Sequence, residues 1–235
     1  MRKIILCAVL LLCNIWFIKA EGKQYFGVQV GFTQPITRLN QPVQGQEKTL
    51  APTTYNGLKI GLLYDATLIK GFGYSIGLNY TFAGHQSTWT DVNPNHSTKQ
   101  EKEKKLYHQL ELPVDWQYKF EIAQDFWLML YTGPTLQFGL DFGGKTYTRP
   151  APNQPAELKP NSVKDYYDNA HALKRINVTW GVGAGIQYER YFIRGGYDFG
   201  LINPYKAQMF DEQDIYTRGR FDQWQIKLGM YLWEF

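Results

Sequence analysis

The residues that could do chemistry in this chain are acids, bases and histidines, set in segments where every second residue is apolar. The charged candidates are Lys59, Asp65, Glu111, Asp115, Lys119, Asp141, Glu189, Arg194, Asp198 and Lys227. Glu111 and Asp115 are spaced as a pair of acids, but no nucleophile with a neighbouring base accompanies them. The set therefore favours a structural network of paired charges and hydrogen bonds over a catalytic centre.

The histidines give a weaker signal. His85, His96, His108 and His171 show no i,i+4 pair or other metal-ligand spacing, so the sequence predicts no metal site and no cofactor. An enzyme that modifies lipid A within a membrane would need a histidine beside a serine or an acid near one rim, and Ser87 lies close to His85. A lipid A-modifying enzyme therefore stays open as an alternative. The other interpretation is that the histidines lie in loops or interfaces and have no catalytic role.

The segments that carry these residues have a period of two. Within 106–120 the even-numbered positions are apolar or aromatic, with His108 as the exception, and most odd-numbered positions are polar. This alternation predicts a β-strand. A second run, 126–142, follows a short break at 121–125, so we expect a hairpin with one apolar face.

The length of the hairpin indicates what it spans. Each strand can run about fifteen residues, whereas strands in soluble domains usually run about five or six. A tilted strand crosses a bilayer core in about 9–11 residues. We therefore expect the apolar face to meet lipid and the polar face to line the lumen of a barrel, where the charged candidates would form their network.

Six more alternating runs complete the predicted fold. They begin near Tyr25, Gly57, Gly73, Ile176, Tyr191 and Trp224. The links at 36–54, 84–105, 143–174 and 203–219 are long, and those at 66–71, 121–125 and 189–190 are short. This asymmetry predicts an all-β, eight-stranded antiparallel up-and-down transmembrane β-barrel with long outer loops and short periplasmic turns.

Two of the long links carry further expectations. The charge run Lys99–Lys105 reads as a solvated loop or a strand extension. Residues 161–165 could open a short helix. If the barrel wall is uniformly apolar, recognition falls to the outer loops, chiefly Gly84–Lys105 and Gly143–Leu173.

The first twenty residues predict a secretory signal peptide. Arg2 and Lys3 precede an apolar run, and the small residue Ala20 marks the expected cut. Residues 1–20 would then be the signal peptide and 21–235 the barrel domain. Cys7 and Cys13 would leave with the leader; an uncleaved anchor and a lipoprotein cysteine at position 13 are weaker alternatives.

Composition fits this class. Aromatic residues reach 16% and glycines number 22, as expected for aromatic girdles outside a barrel and small residues inside. A mean hydropathy of -0.40 does not oppose a barrel, because only every second residue meets lipid. The formal charge of +4 is too weak to indicate a nucleic-acid partner.

Two segments resemble a known family. Leu110-Glu111-Leu112-Pro113 is similar to the strand motif of PorT-like outer-membrane β-barrel proteins of Bacteroidetes, and Tyr231, Trp233 and Phe235 resemble the aromatic C-terminal signal for barrel insertion. These aromatics are odd-numbered, whereas the apolar face of the last strand is even-numbered. A bulge near Gly229 or an inward-facing aromatic end is therefore required.

The resemblance implies a compartment and a fold rather than one activity. We expect an integral protein of the cell outer membrane with a structural or interaction role, displaying loops or assisting envelope assembly or protein secretion, and not a porin. Its implied partners are outer-membrane lipid and lipopolysaccharide, the barrel-assembly machinery, and an envelope or secretion protein. A lipid A-modifying enzyme and a soluble lipocalin-like ligand-binding barrel are the alternatives.

Overall fold

The computed structural model describes residues 22–43, 46–49, 52–92, 99–151, 155, 160–167, 173–205, 208–210, 213–215 and 218–235. The predicted signal peptide at 1–20, and with it Cys7 and Cys13, lies outside these residues, as do His96 and His171. Within the described ranges, no helix has the length and apolar character needed to cross a bilayer.

The described residues form β-strands connected by turns and loops. The strands are β1 (Gln24–Val43), β2 (Gln46–Thr49), β3 (Thr53–Thr54), β4 (Asn56–Ile69), β5 (Phe72–Gln86), β6 (Thr90–Asp91), β7 (Gln100–Ala123), β8 (Phe126–Arg149), β9 (Ser162–Asp165), β10 (Ile176–Tyr188), β11 (Tyr191–Gly200), β12 (Gln208–Phe210), β13 (Gln213–Ile215) and β14 (Arg218–Glu234).

Eight long strands close into a barrel. Strands β1, β4, β5, β7, β8, β10, β11 and β14 each pair antiparallel with the next long strand in sequence, and β14 pairs with β1. Sequential pairing with this closure is an up-and-down barrel, so the predicted fold is confirmed. Of the short strands, β2 and β3 extend the sheet beside β1, β6 beside β7 and β9 beside β8, while β12 and β13 form a separate hairpin.

The short links are tight turns at one end of the barrel. Each contains a residue with left-handed backbone: Lys70 at φ 48°, Asp125 at φ 59° and Glu189 at φ 50°, with Gly71 at φ 86° in the first turn. Such residues reverse a chain within two positions. The described parts of the long links all lie at the opposite end of the barrel.

Two local expectations need correction, and a third is resolved. Strand β1 continues to Val43, into the link predicted at 36–54. The run Lys99–Lys105 is a strand extension from Gln100 onward, which is one of its two expected forms. Residues 162–165 form β9, not a helix, and pair with 143–146 of β8. The reason is that β7 and β8 protrude beyond their neighbours, so the free edge of β8 offers backbone groups that a third strand satisfies.

The burial pattern is inverted relative to a soluble protein. Polar side chains fill the interior, and large apolar side chains are exposed around the wall. Members of this exposed belt include Val30, Ile60, Leu78, Leu112, Leu136, Val182, Ile193 and Leu228. A continuous apolar exterior is what lipid requires. The soluble lipocalin-like alternative is therefore wrong.

The end of β14 contains both a bulge and an inward-facing aromatic residue, the two possibilities that the sequence left open. Tyr231 is inward-facing and buried. The register shifts between Phe26↔Trp233 and Gly27↔Tyr231, so the bulge lies at Leu232 rather than near Gly229. After the bulge, Trp233 returns to the outside and its ring packs 5.7 Å from that of Phe26.

Candidate functional site

The interior of the barrel holds most of the charged residues that the sequence singled out. Those with buried side chains in the lumen are Lys59, Asp65, Glu111, Asp115, Lys119, Arg194, Asp198 and Lys227. They come from β4, β7, β11 and β14, so side chains far apart in sequence meet across the barrel axis. Inward projection follows directly from the period of two on each strand.

Asp65 is the hub of the periplasmic half of this network. Its Oδ1 accepts hydrogen bonds from Gln117 Nε2 at 2.6 Å and Lys119 Nζ at 2.9 Å. Its Oδ2 accepts from Arg194 Nη2 at 2.7 Å and Tyr231 Oη at 2.6 Å. One carboxylate thus joins β4 to β7, β11 and β14, and both of its cations are buried.

Glu111 is a second hub, nearer the outer side. Its Oε2 accepts from Lys59 Nζ at 2.5 Å, and its Oε1 accepts from Thr81 Oγ1 at 2.7 Å and Gln109 Nε2 at 2.6 Å. Lys59 Nζ also donates to Gln225 Oε1 at 2.6 Å. The ammonium and the carboxylate therefore satisfy each other inside a site that excludes solvent.

Two predicted lumen residues lie elsewhere. The β7–β8 register passes from His108↔Asp141 to Gln109↔Gly139, so a bulge at Leu140 reverses which face each later residue of β8 presents. Asp141 is therefore exposed on the outside, and Phe142 is buried inside. Glu189 is exposed in a periplasmic turn. The alternation around position 140 carries no sign of the bulge.

A layer of apolar side chains lies at the periplasmic end of the lumen. Leu63, Met129, Phe192 and Tyr231 form one buried cluster, with Tyr25 packed against it. The rings of Tyr25 and Tyr231 stack with centroids 4.6 Å apart, and Lys119 Nζ lies 5.4 Å from each ring centroid. This layer seals the barrel directly below the Asp65 hub.

A second aromatic layer covers the outer mouth. Tyr55, Ala83, Tyr107, Phe142 and Leu173 form its buried core, and Tyr166, Tyr167, Tyr205 and Phe221 pack against it. Several of these residues belong to the long links, which fold inward over the lumen. We call these nine residues the outer lid. Their inward packing depends on how loops fold back, so the alternation of the strands did not predict it.

Two glycines of β8 make room for the outer lid. A Cβ on Gly139 would lie 2.0 Å from Tyr167 Oη, and one on Gly144 would lie 2.9 Å from the Tyr166 ring. Because these glycines have no side chain, both tyrosines can pack directly against the backbone of β8. A hydrogen bond from Lys174 N to Pro204 O at 2.7 Å ties the two long loops together above them.

The histidines do not assemble a catalytic group. His108 Nδ1 is hydrogen-bonded to the Tyr80 hydroxyl, and His85 Nδ1 to the carbonyl oxygen of Thr54 at 2.7 Å. Ser87 Oγ donates to Thr88 O at 3.1 Å and accepts from Glu103 N at 2.9 Å. Within the described residues, no three His, Cys, Asp or Glu side chains are grouped to hold a metal ion.

The protruding part of the β7–β8 hairpin carries a cationic and aromatic outer face. Lys102 Nζ and Arg149 Cζ lie 5.6 Å and 4.6 Å from the Trp89 ring centroid, and Lys104 Nζ lies 5.2 Å from that of Tyr147. Lys104 also stands directly opposite Lys145. We call Trp89, Lys102, Lys104, Lys145, Tyr147 and Arg149 the cationic face. Among the described residues, no carboxylate forms an ion pair with any of its four cations.

The other face of the same hairpin is held by Glu103. Its carboxylate accepts from Tyr166 Oη at 2.7 Å and pairs with Lys105 Nζ at 3.0 Å. Burial opposes ionisation of Glu103, but these hydrogen bonds outweigh it and lower the pKa of the carboxyl. The Glu103 side chain thus connects the hairpin to the outer lid.

A closed barrel with a polar interior and an apolar wall defines an outer-membrane protein. The sequence matches the outer membrane protein beta-barrel domain family over residues 21–205, and the chain belongs to that family. The protein is therefore located in the outer membrane. A comparison with curated proteins finds no significant match.

The chain is similar to several solved structures of outer-membrane proteins. One is Ail, the attachment invasion locus protein of Yersinia pestis, in complex with the heparin analogue sucrose octasulfate, at 14% identity and a TM-score of 0.34, covering 92% of this chain and 99% of that chain. Neisserial surface protein A has 11% identity and a TM-score of 0.38, with 88% and 99% covered. The N-terminal barrel domain of Pseudomonas aeruginosa OprF has 11% identity and a TM-score of 0.30, with 89% and 100% covered.

Proposed function

We propose that this protein is a sealed, non-enzymatic outer-membrane barrel that anchors and displays its protruding β7–β8 hairpin for interaction. The observation that carries the proposal is the filled lumen. The cluster around Tyr231 closes the periplasmic end, the Asp65 and Glu111 hubs fill the middle, and the outer lid covers the mouth. Eight strands enclose only enough space for such side chains.

Planar-bilayer recording tests the sealed barrel. Refolded full-length protein should give no stable conductance, because both hubs block the axis with hydrogen-bonded side chains. As a comparison, the variant Tyr107→Ala/Phe142→Ala thins the outer lid and leaves both hubs in place, so it should also stay closed. Stable porin-like steps from the unaltered protein would contradict the proposal.

The cationic face supports the display part of the proposal. Aromatic side chains and arginine are enriched at interfaces, and the cationic face holds Trp89, Tyr147 and Arg149. Deleting Thr148–Tyr166 should leave insertion and the heat-dependent shift on gels intact, while removing the phenotype that loss of the whole protein causes. A neutralised Lys102→Gln/Lys104→Gln/Lys145→Gln variant should weaken the same phenotype without loss of any loop.

A narrower role as a PorT-like accessory of envelope assembly or secretion places the working surface on the periplasmic side. That proposal rests on the segment 110–113. It is favoured if the phenotype survives the loop deletion but is lost when the turns at 66–71 or 121–125 are altered. The lipid A-modifying alternative gains no support from the contacts of His85 and His108 with Thr54 and Tyr80.

We also propose that the barrel-assembly machinery recognises the C-terminal aromatics unequally. Trp233 and Phe235 are exposed, whereas Tyr231 is buried in the lumen and bonded to Asp65. Phe235→Ala should therefore slow insertion but leave the inserted barrel as stable as before. Tyr231→Phe should instead lower the stability of the inserted barrel by removing one donor to Asp65.

A further inference from the structure

A buried carboxylate on the outside of the barrel holds two arginines at the outer edge of the wall. Asp222 Oδ2 accepts from Arg38 Nε and from Arg220 Nε, each at 3.0 Å, and Arg220 Nε lies 2.8 Å from Oδ1. Asp222 Oδ1 also accepts from the backbone N–H of Gly200 at 3.0 Å. We call Arg38, Arg220 and Asp222 the arginine clamp.

The clamp faces lipid rather than the lumen. On β1 it continues the even-numbered outward row of Val28 and Val30, and on β14 that of Leu228 and Ile226. Arg38 and Arg220 stand directly opposite each other across the β1–β14 pair. The clamp therefore lies at the outer end of a row of outward-facing residues that is otherwise apolar.

The arginine clamp lies at the depth of the lipid headgroups. From Leu232, at the periplasmic end of β14, to Asp222 is ten residues (232 − 222). At a rise of about 3.4 Å and a tilt of about 40°, this interval gives a height of about 26 Å. The apolar band of such barrels is about 25 Å tall. Arg220 therefore lies just beyond the hydrocarbon, and the exposed Phe199 lies on the neighbouring strand β11.

The charge balance of the clamp leaves a cationic surface. Asp222 is fully buried, whereas the side chains of Arg38 and Arg220 are 46% and 48% exposed. Both arginines donate to the carboxylate through Nε. Tyr197 is a further neighbour of Arg38. Asp222 neutralises only one of the two cations, so a net positive charge remains. Like charges directly opposite each other are unfavourable, and a second anion would relieve this repulsion.

We propose that the arginine clamp binds a phosphate group of an anionic glycolipid of the outer leaflet. A guanidinium presents a planar fork of donors that matches a phosphate, and Asp222 fixes the orientation of both forks before binding. Phe199 and Ile36 flank the carboxylate with apolar surface suited to the lipid body. The site is separate from the cationic face, which lies on the far side of the barrel at β7 and β8.

Native mass spectrometry of the full-length protein in detergent tests this assignment. The probes are lipid A with both phosphates, the same lipid without phosphates, and inorganic phosphate. The unaltered protein should bind bisphosphorylated lipid A, and Arg38→Gln/Arg220→Gln should bind it about tenfold more weakly or worse. Arg190→Gln, which removes an exposed arginine from a periplasmic turn, is the matched control and should bind normally.

The single variants keep the test decisive if the double variant does not fold. Arg38→Gln and Arg220→Gln, each checked for folding by the heat-dependent gel shift, should each lose part of the binding of lipid A. Equal binding of phosphate-free lipid A by the unaltered protein, or full binding by the folded variants, would overturn the site. Competition by inorganic phosphate at the concentration at which lipid A binds would show a site for a free oxyanion and overturn the lipid assignment.

Discussion

Asp65 and Asp222 are two carboxylates that each hold two cations, one inside the barrel and one on its outer wall. Both side chains are fully buried. The cations around Asp65 are buried with it, whereas those around Asp222 are about half exposed. The donors to Asp65 also include Gln117 and Tyr231, so nothing is left to bind a ligand there.

The comparison shows that the solvent exposure of a charge cluster determines whether it contributes to stability or presents charge at the surface. Removing one partner from a fully buried cluster leaves charges with no access to solvent, which is costly. Removing the anion from a half-exposed cluster leaves cations that water can solvate. We therefore expect the lumen cluster to stabilise the barrel, whereas the wall cluster leaves two arginines partly exposed on the outside. Variants of the two sites should separate these effects.

The largest effect is expected at Asp65. Asp65→Asn should lower the free energy of unfolding by about 3–5 kcal/mol, because Lys119 and Arg194 lose their shared anion inside the lumen. Urea titration of the protein in lipid vesicles measures the loss. Asp125→Asn, in an exposed periplasmic turn with φ 59°, is the matched control and should have little effect, since Asn tolerates that backbone. A loss equal to that of the control would show that the hub is not stabilising.

A smaller net effect is expected when both members of a buried pair are replaced. Glu111→Leu alone should cost about 3 kcal/mol, because it leaves Lys59 buried without its carboxylate. Lys59→Met/Glu111→Leu should recover most of that loss, to within about 1 kcal/mol of the unaltered barrel. Costs that simply add in the double variant would show that the pair is not coupled.

The strands and the lumen charges were accessible from the sequence because both follow from a period of two. Glu111 and Lys59 face inward for the same reason that Leu112 and Ile60 face lipid. One-residue departures were not accessible. A single bulge at Leu140 moved Asp141 outside, and another at Leu232 separated the orientation of Tyr231 from that of Trp233.

Long-range partners were equally hidden. Arg38 and Asp222 are 184 residues apart, and their contact depends on barrel closure and on the register of the first strand against the last. Tyr166 and Tyr167 occupy the outer lid because Gly144 and Gly139 leave space beneath them. Neither the closure register nor the path of a long loop leaves a periodic mark in the sequence.

The outer-wall cluster should be the less sensitive of the two. Asp222→Asn is expected to lower the free energy of unfolding by about 1 kcal/mol, since Arg38 and Arg220 keep contact with solvent or headgroups. The same urea titration, run beside Asp65→Asn, gives the comparison directly. A loss as large as that of Asp65→Asn would mean that the wall cluster is a structural brace, and that its exposed arginines are incidental.

The smallest effect concerns Glu103, whose side chain is 33% exposed, unlike the fully buried side chains of Asp65 and Asp222. Burial disfavours its charge, yet hydrogen bonds from Tyr166 and Lys105 hold the pKa of Glu103 below its ordinary value of 4.5. Because the folded-state pKa is the lower one, the stabilising contribution is complete above the ordinary value and is lost as the pH falls through the folded-state pKa.

The amide of Tyr166 reports this loss, since its N–H donates to Phe142 O at 2.9 Å in the outer lid. Lowering the pH from near neutrality to about 3 should reduce its protection from hydrogen exchange, after correction for the intrinsic rate. Glu103→Gln should make the protection low and independent of pH, while the lumen strands stay protected in both proteins. Protection in Glu103→Gln that equals the unaltered protein at neutral pH would show that the outer lid is held by ring packing alone.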